Sequence, residues 1–252
     1  MTNASNTTFI KSRYGFPNAA ISFRNGSLQI PPGDYINPDF SVSAWVNPNS
    51  NKSFTNLVSF SNQNGNDSIW IGFQNLKLYI EIQPSKGNLT TMTAIEPVQF
   101  KEWQHITFTL KSGIGYIYYN GKLQNSATLS LPTKIKRNCN FIGQDYYNST
   151  DYLADAALQN LYLYKGALTS DEVMLEYETE GNLNDFTQKS FSNFISLFLN
   201  LDNKEKSRAI NWQQDNSAIG CSFSTAPLLN LKSNSFSDCS NKCFYLQGLC
   251  FR

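Results

Sequence analysis

From residue 19 to residue 164 the chain is a succession of short alternating runs broken by turn residues, a pattern that admits little except an antiparallel β-architecture. The runs fall at 19–23, 27–30, 40–46, 57–60, 69–73, 76–82, 103–110, 114–119, 122–124, 140–143 and 158–164. Phe40-Ser41-Val42-Ser43-Ala44-Trp45-Val46 alternates apolar and small polar residues, as a strand with one buried face must. Asn25-Gly26 and Asn120-Gly121 each separate two runs by the dipeptide that best supplies the positive φ angles of a two-residue hairpin. The first helical signal comes late, at Thr169-Ser170-Asp171-Glu172, a capping box followed by Val173, Met174, Leu175 and Tyr177. The expected fold is all-β: a two-sheet antiparallel β-sandwich (jelly roll), with one short helix after the last strand and a cysteine-containing C-terminal segment.

A chain of 252 residues holds one such domain and an appendage. The expected division is a sandwich over 1–181 and a C-terminal extension over 182–252, where Ile195, Leu197, Leu199 and Leu201 alternate. That extension reads either as an edge strand for the sandwich or as a partial second module with a cysteine-rich end. Phe (18) and Tyr (13) dominate the aromatic set, enough for a sizeable core of pleated surfaces. A net charge of +1 carries no electrostatic footprint for nucleic acid, and no apolar stretch is long enough to span a bilayer. Of five cysteines, Cys139 opens an expected strand and reads as a free, buried thiol. Cys221, Cys239, Cys243 and Cys250 are the disulfide candidates, which fits an oxidising compartment. Glycosylation acceptor patterns stand at Asn25, Asn51, Asn66, Asn88 and Asn148, all in expected turns or loops, as well as at Asn3 and Asn6 in the N-terminal tail.

Four blocks, taken in order, are similar to the laminin G-like, concanavalin-A-like jelly roll and its pentraxin-related branch. They are Gly15-Phe16-Pro17-Asn18-Ala19-Ala20-Ile21-Ser22-Phe23; the 40–46 strand; Trp103-Gln104-His105-Ile106-Thr107-Phe108 leading to Tyr118-Tyr119-Asn120-Gly121-Lys122; and Phe141-Ile142-Gly143 followed by Leu158-Gln159-Asn160-Leu161-Tyr162-Leu163-Tyr164 and Ala167-Leu168-Thr169-Ser170-Asp171-Glu172-Val173. The resemblance implies the sandwich independently of the alternation. It also implies a calcium site of pentraxin type, with Asn66, Asp67 and Asp145 as its oxygen ligands. Here the chain departs from the pattern. Tyr146 and Tyr147 stand where further ligands would follow, and Arg24-Asn25 and Gln159 replace acids common elsewhere in the family. No cofactor is therefore required, with calcium the one metal the pattern suggests.

Chemistry on this scaffold has few candidates. Glycoside hydrolases of the same architecture need paired carboxylates facing one sugar. The one comparable run, Glu176-Tyr177-Glu178-Thr179-Glu180, falls on or beyond the capped helix, where carboxylates should be solvated. His105, the single histidine, reads as a hydrogen-bonded structural residue of a strand, and Trp45 and Trp103 as core fillers. Tyr146, Tyr147, Asn148, Asp151 and Tyr152 form an aromatic loop suited to stacking on sugar rings. The expected function is an extracellular or cell-surface recognition and adhesion module, non-catalytic, binding a glycan or an extracellular protein through the loops 62–68, 88–91 and 145–152. It would be part of a larger protein or assembly. A structural assembly domain of a coat or filament is the alternative, and a glycoside hydrolase the third reading.

Overall fold

The computed structural model describes residues 6–62, 65, 67–145 and 152–181, together with the backbone of two strands near the C-terminus. Two antiparallel sheets face each other. In spatial order the first comprises β1 (Thr7–Ile10), β2 (Ala20–Phe23), β13 (Ala156–Tyr164), β4 (Phe40–Pro48), β9 (Gln104–Lys111), β10 (Ile114–Tyr119) and β11 (Lys122–Thr128). The second runs β3 (Leu28–Ile30), β12 (Cys139–Ile142), β5 (Phe54–Ser61), β6 (Ser68–Gln74), β7 (Lys77–Gln83) and β8 (Thr90–Thr93). The chain passes between the sheets after β2, β3, β4, β8, β11 and β12, which is the jelly-roll manner of connection. One helix, α1 (Ser170–Gly181), follows β13. The C-terminal strands β14 (Phe244–Leu246) and β15 (Leu249–Phe251) pair with each other.

The core lies between the sheets and follows from alternation. Phe40, Val42, Ala44 and Val46 of β4 point inward and meet Val58, Phe60, Ile71 and Ile80 from the second sheet. Phe40 packs edge-on against Phe108 of β9 at 5.5 Å. Each large side chain so buried stabilises by about 1.5–3 kcal/mol. Polar links cross the same layer: the Leu78 N–H donates to the Tyr119 hydroxyl at 2.8 Å, tying β7 to β10. Arg137 is 1 % exposed; it donates from Nε to the Asp67 carbonyl at 2.7 Å and from Nη2 to the Thr133 carbonyl at 2.9 Å, fastening the segment before β12 to the β5–β6 turn.

Several expectations need correction. Asn120-Gly121 does turn the β10–β11 hairpin, with φ of 48° and 74°. Asn25 also has a positive φ (53°), but the strands on either side of Asn25-Gly26 belong to different sheets, so this turn is a crossover. The pairing of β3 with β12 overrides the local hairpin signal. Leu76, expected inside a strand, sits at φ 63° in the tight turn between β6 and β7. β13 carries a bulge between Gln159 and Tyr162, with Asn160 at φ 51°. The extra residue shifts the phase so that Leu158, Leu161 and Leu163 all face the core while Gln159, Tyr162 and Tyr164 face out. Trp103 is half-buried and precedes β9, and Trp45 is buried but on the outer face of its sheet; neither fills the core between the sheets. Cys139, expected as a free thiol, is buried and disulfide-bonded. The side chains of the other disulfide candidates, Cys221, Cys239, Cys243 and Cys250, lie outside the described residues.

Helix α1 begins with the expected capping box. The Thr169 N–H donates to Glu172 Oε2 at 2.8 Å and the Glu172 N–H to Thr169 Oγ1 at 3.3 Å. The helix then lies on the outer face of the first sheet, where Val173 joins Leu168 and Tyr118 in a small apolar cluster. The rest of the contact is polar. Glu176 and Glu180, four residues apart and so on one helical face, are 8 % and 4 % exposed, not solvated; Glu178 between them is exposed. Glu176 Oε1 accepts from Ser43 Oγ at 2.6 Å and from the Tyr164 hydroxyl at 2.9 Å. Glu180 Oε2 accepts from Trp45 Nε1 at 2.7 Å and lies 4.0 Å from Arg13 Nη2. The Arg13 guanidinium is 3.8 Å from the centre of the Trp45 ring, which also packs on Tyr177 at 5.8 Å and on His105 at 5.3 Å.

Burial, reinforced by the Glu180 charge, pushes the Glu176 carboxyl up to about 8, and burial also raises Glu180 against the opposing pull of Arg13. The titratable groups that interact with this pair are Arg13, Tyr14, Tyr162 and Tyr164. Because Glu176 holds its proton more tightly folded than unfolded, the stability it contributes is full below its unfolded value of about 4.3 and is lost as pH rises to its folded value. Thermal and urea melts should therefore show stability falling between about pH 5 and pH 8, by up to about 1.4 kcal/mol per pH unit for one such group. Glu176→Gln, which keeps the acceptor for Ser43 and Tyr164, should make that slope shallower; an unchanged slope would refute this account of α1.

Candidate functional site

The outer face of the first sheet is rich in ionisable groups but closed. His105 is 1 % exposed, and burial, helped by the Arg13 charge, holds its imidazole down at about 3, so it is neutral. Neither ring nitrogen meets a hydrogen-bond partner among the described residues, which corrects the expected hydrogen-bonded role; the ring instead packs against both Trp45 and Tyr177. Glu176 and Glu178 point to opposite sides of α1, one into the sheet and one into solvent, so they do not flank a common substrate position.

The expected loop site divides. Asn66, Tyr146, Tyr147, Asn148 and Asp151 lie outside the described residues. Asp67 is 6 % exposed, and its Oδ1 accepts from the Ser85 N–H at 2.9 Å, joining the β5–β6 turn to the loop after β7. Burial alone would push this carboxyl up; hydrogen bonds from Thr133 and Ser85 and the Arg137 charge outweigh that and hold it below the usual carboxylate value. The Asp67 carboxylate is thus already engaged by hydrogen bonds from the chain itself. Gln144 folds onto the second sheet, its Oε1 accepting from Ser27 Oγ and its carbonyl from Ser59 Oγ, both at 2.7 Å, with Asp145 buried beside it. Tyr152 packs edge-on against Phe54 at 5.6 Å, at the opposite end of β5 from Asp67. Among the described residues no three His, Cys, Asp or Glu side chains gather as a metal cluster. Asn25, Asn51 and Asn88 are exposed, with Asn25 Oδ1 accepting from Lys52 Nζ.

A third surface went unread in the sequence. On the outer face of the second sheet, Trp70 of β6 stands opposite Ser59 of β5 and Glu81 of β7, and Tyr79 opposite Gly72. Trp70 and Tyr79 meet edge-to-face at 5.3 Å, and the Tyr79 hydroxyl donates to Glu81 Oε2 at 3.0 Å. Burial, with the Glu81 charge, pushes the Tyr79 hydroxyl up to about 12, so it remains a donor and holds the carboxylate in place. Gly72 makes the arrangement fit, since a Cβ there would lie 2.9 Å from the far edge of the Trp70 indole and 2.4 Å from the Thr55 carbonyl oxygen. All three side chains remain partly exposed, so the sheet presents an aromatic surface with a carboxylate at its side. The alternation of Ser68–Gln74 and Lys77–Gln83 about a two-residue turn is the sequence signal that would have located it.

The fold has counterparts among solved structures. Domain 4 of AbnA, an extracellular GH43 arabinanase from Geobacillus stearothermophilus solved with arabinotriose, superposes with a TM-score of 0.52 at 19% identity, covering 68% of this chain and 80% of that one. The receptor-binding domain of botulinum neurotoxin type G gives 0.51 at 16% identity, over 70% of this chain and 45% of that one. A SAP-like pentraxin from Limulus polyphemus gives 0.49 at 13% identity, over 69% and 81%. At these identities the first two show a shared fold. No curated protein matches the sequence. Residues 23–174, more than half the chain, match the laminin G family pattern described as the concanavalin A-like lectin/glucanases superfamily, and to that superfamily the chain belongs.

Proposed function

We propose that the sandwich is a non-catalytic extracellular recognition module that binds carbohydrate on the outer face of its second sheet. The observation that carries this reading is the Trp70–Tyr79–Glu81 constellation. An indole face accepts the C–H side of a sugar ring, and a carboxylate held by a tyrosine hydroxyl accepts from the ring's hydroxyls. The bound arabinotriose of the bacterial arabinanase domain lends weight, since that domain shares this fold. Calcium is not part of the reading, because the Asp67 carboxylate is buried and already accepts hydrogen bonds from Ser85 and Thr133. Catalysis is not part of it either, because the buried Glu176 and the exposed Glu178 cannot act on one bond. The disulfide at Cys139 and the exposed acceptors Asn25, Asn51 and Asn88 favour an oxidising, secretory setting.

A glycan array followed by titration calorimetry tests the ligand. Binding should survive a calcium chelator, no reducing ends should be released, and Trp70→Ala should weaken affinity by about tenfold or more with the melting curve retained. A wild-type chain that binds no glycan, or a Trp70→Ala variant that binds as well as the parent, would sink the proposal. The compartment has its own measurement. In chain recovered from its native source and unfolded in denaturant, Cys139 should resist alkylation until reductant is added, and labelling of the unfolded, unreduced chain would count against the secreted reading.

A further inference from the structure

We propose that the C-terminal extension over 182–252 folds back onto the sandwich as part of the same domain, fastened by a disulfide from Cys139 to one of its own four cysteines. Cys139 is bonded, and the sequence offers it Cys221, Cys239, Cys243 and Cys250, all in that extension. Its place in β12 tells where the bond leaves the fold. Asn140 stands opposite Ile30 of β3 and Phe60 of β5, both in the core, so Cys139 and the opposite Ser61 point to the outer face of the second sheet. An outward side chain stays accessible unless something outside the two sheets covers it. Cys139 is nonetheless 1 % exposed and Ser61 fully buried, so this end of β12 has a cover. The described ends of the loop after β12 lie elsewhere, Gln144 on Ser59 and Tyr152 on Phe54.

A second observation reaches the same corner from the other sheet. β15 lies beside β13, with Cα atoms of the two strands within 8 Å of each other. There is room for it, because β2 pairs with Ala157 and Leu158 near the start of β13. From Tyr162 to Tyr164, β4 is the one strand paired with β13 among the described residues. An edge of this kind leaves backbone N–H and C=O groups in need of partners. Segment 33–37 brings the two anchors together. Gly33 bridges to Arg137 just before β12, and Asn37 Nδ2 donates to the Lys165 carbonyl just after β13, at 2.7 Å. Cys139 and Tyr164 therefore share one end of the sandwich, where a single extension meets both. Trp70 stands two strands beyond β12 and remains partly exposed, so the cover borders the aromatic surface without closing it.

Disulfide mapping on the full chain tests the staple. With free thiols blocked and N-glycans removed, trypsin releases Cys139 in 138–165, Cys221 in 209–232, Cys239 in 233–242, and Cys243 with Cys250 in 243–252. Mass spectrometry without reductant should find 138–165 linked to one of the other three peptides. A free thiol on 138–165, or 138–165 linked to a second copy of itself, would overturn the proposal. Hydrogen exchange then reads the fold-back. Cys139→Ser keeps the size of the side chain and removes the bond. In this variant the amides of Tyr162–Tyr164 should exchange at least about tenfold faster, because the extension has lost its tether. Unchanged protection in β6 and β7 would show that the variant folds. Exchange at Tyr162–Tyr164 as slow as in the parent would contradict the fold-back.

Discussion

The structure turns on a strand that is buried on both sides. β4 lies between β13 and β9 at the middle of the first sheet, and all but one of its nine residues are inaccessible. Its inner side meets the second sheet and is apolar; its outer side carries Ser41, Ser43 and Trp45 and meets α1. A polar side chain in such a place must find a partner from whatever covers it. Ser41 finds the Leu168 N–H and the Gly166 carbonyl, Ser43 finds Glu176 and Trp45 finds Glu180. The helix is thus positioned by hydrogen bonds more than by an apolar stripe, and its carboxylates complete the sheet beneath it.

This explains why some of the structure is legible in the sequence and some is not. Strand positions and the sandwich follow from a period of two, which β4, β6 and β7 keep strictly. The polarity of Ser41 and Ser43 suggests a solvated outer side, and the acidic run of α1 suggests a solvated helix. Each inference is sound alone, but the two surfaces cover one another. The β13 bulge hides for a related reason: Leu158, Leu161 and Leu163 break the period, and only the positive φ of Asn160 restores the phase. At the candidate site, Tyr79 and Glu81 are ordinary outward residues until the β6–β7 register sets them beside Trp70. Family resemblance pointed instead to the Asp67 loop, where hydrogen bonds from the distant Ser85 and Thr133 already occupy the carboxylate.

The two outer faces therefore have unlike duties. On the first sheet, helix and N-terminal segment cover the ionisable groups and convert them into structural contacts. On the second, Trp70, Tyr79 and Glu81 stay within reach of solvent, and the one tightly packed glycine among them serves the orientation of an aromatic ring. A sandwich with one face closed and the other open has one broad surface to offer a flat ligand. Its specificity would then lie in the side chains bordering that surface, which vary freely without disturbing the core.

The contact between Arg13, Tyr14 and the last turn of α1 has a consequence of another kind. Arg13 Nη2 and the Tyr14 hydroxyl both donate to the Glu180 carbonyl, although more than 160 residues of chain separate them. The clamp fixes the link between β1 and β2 to the last turn of α1, so that the N-terminal segment and the helix cover the first sheet as one unit: freeing either would uncover Trp45 and the Glu180 carboxylate together.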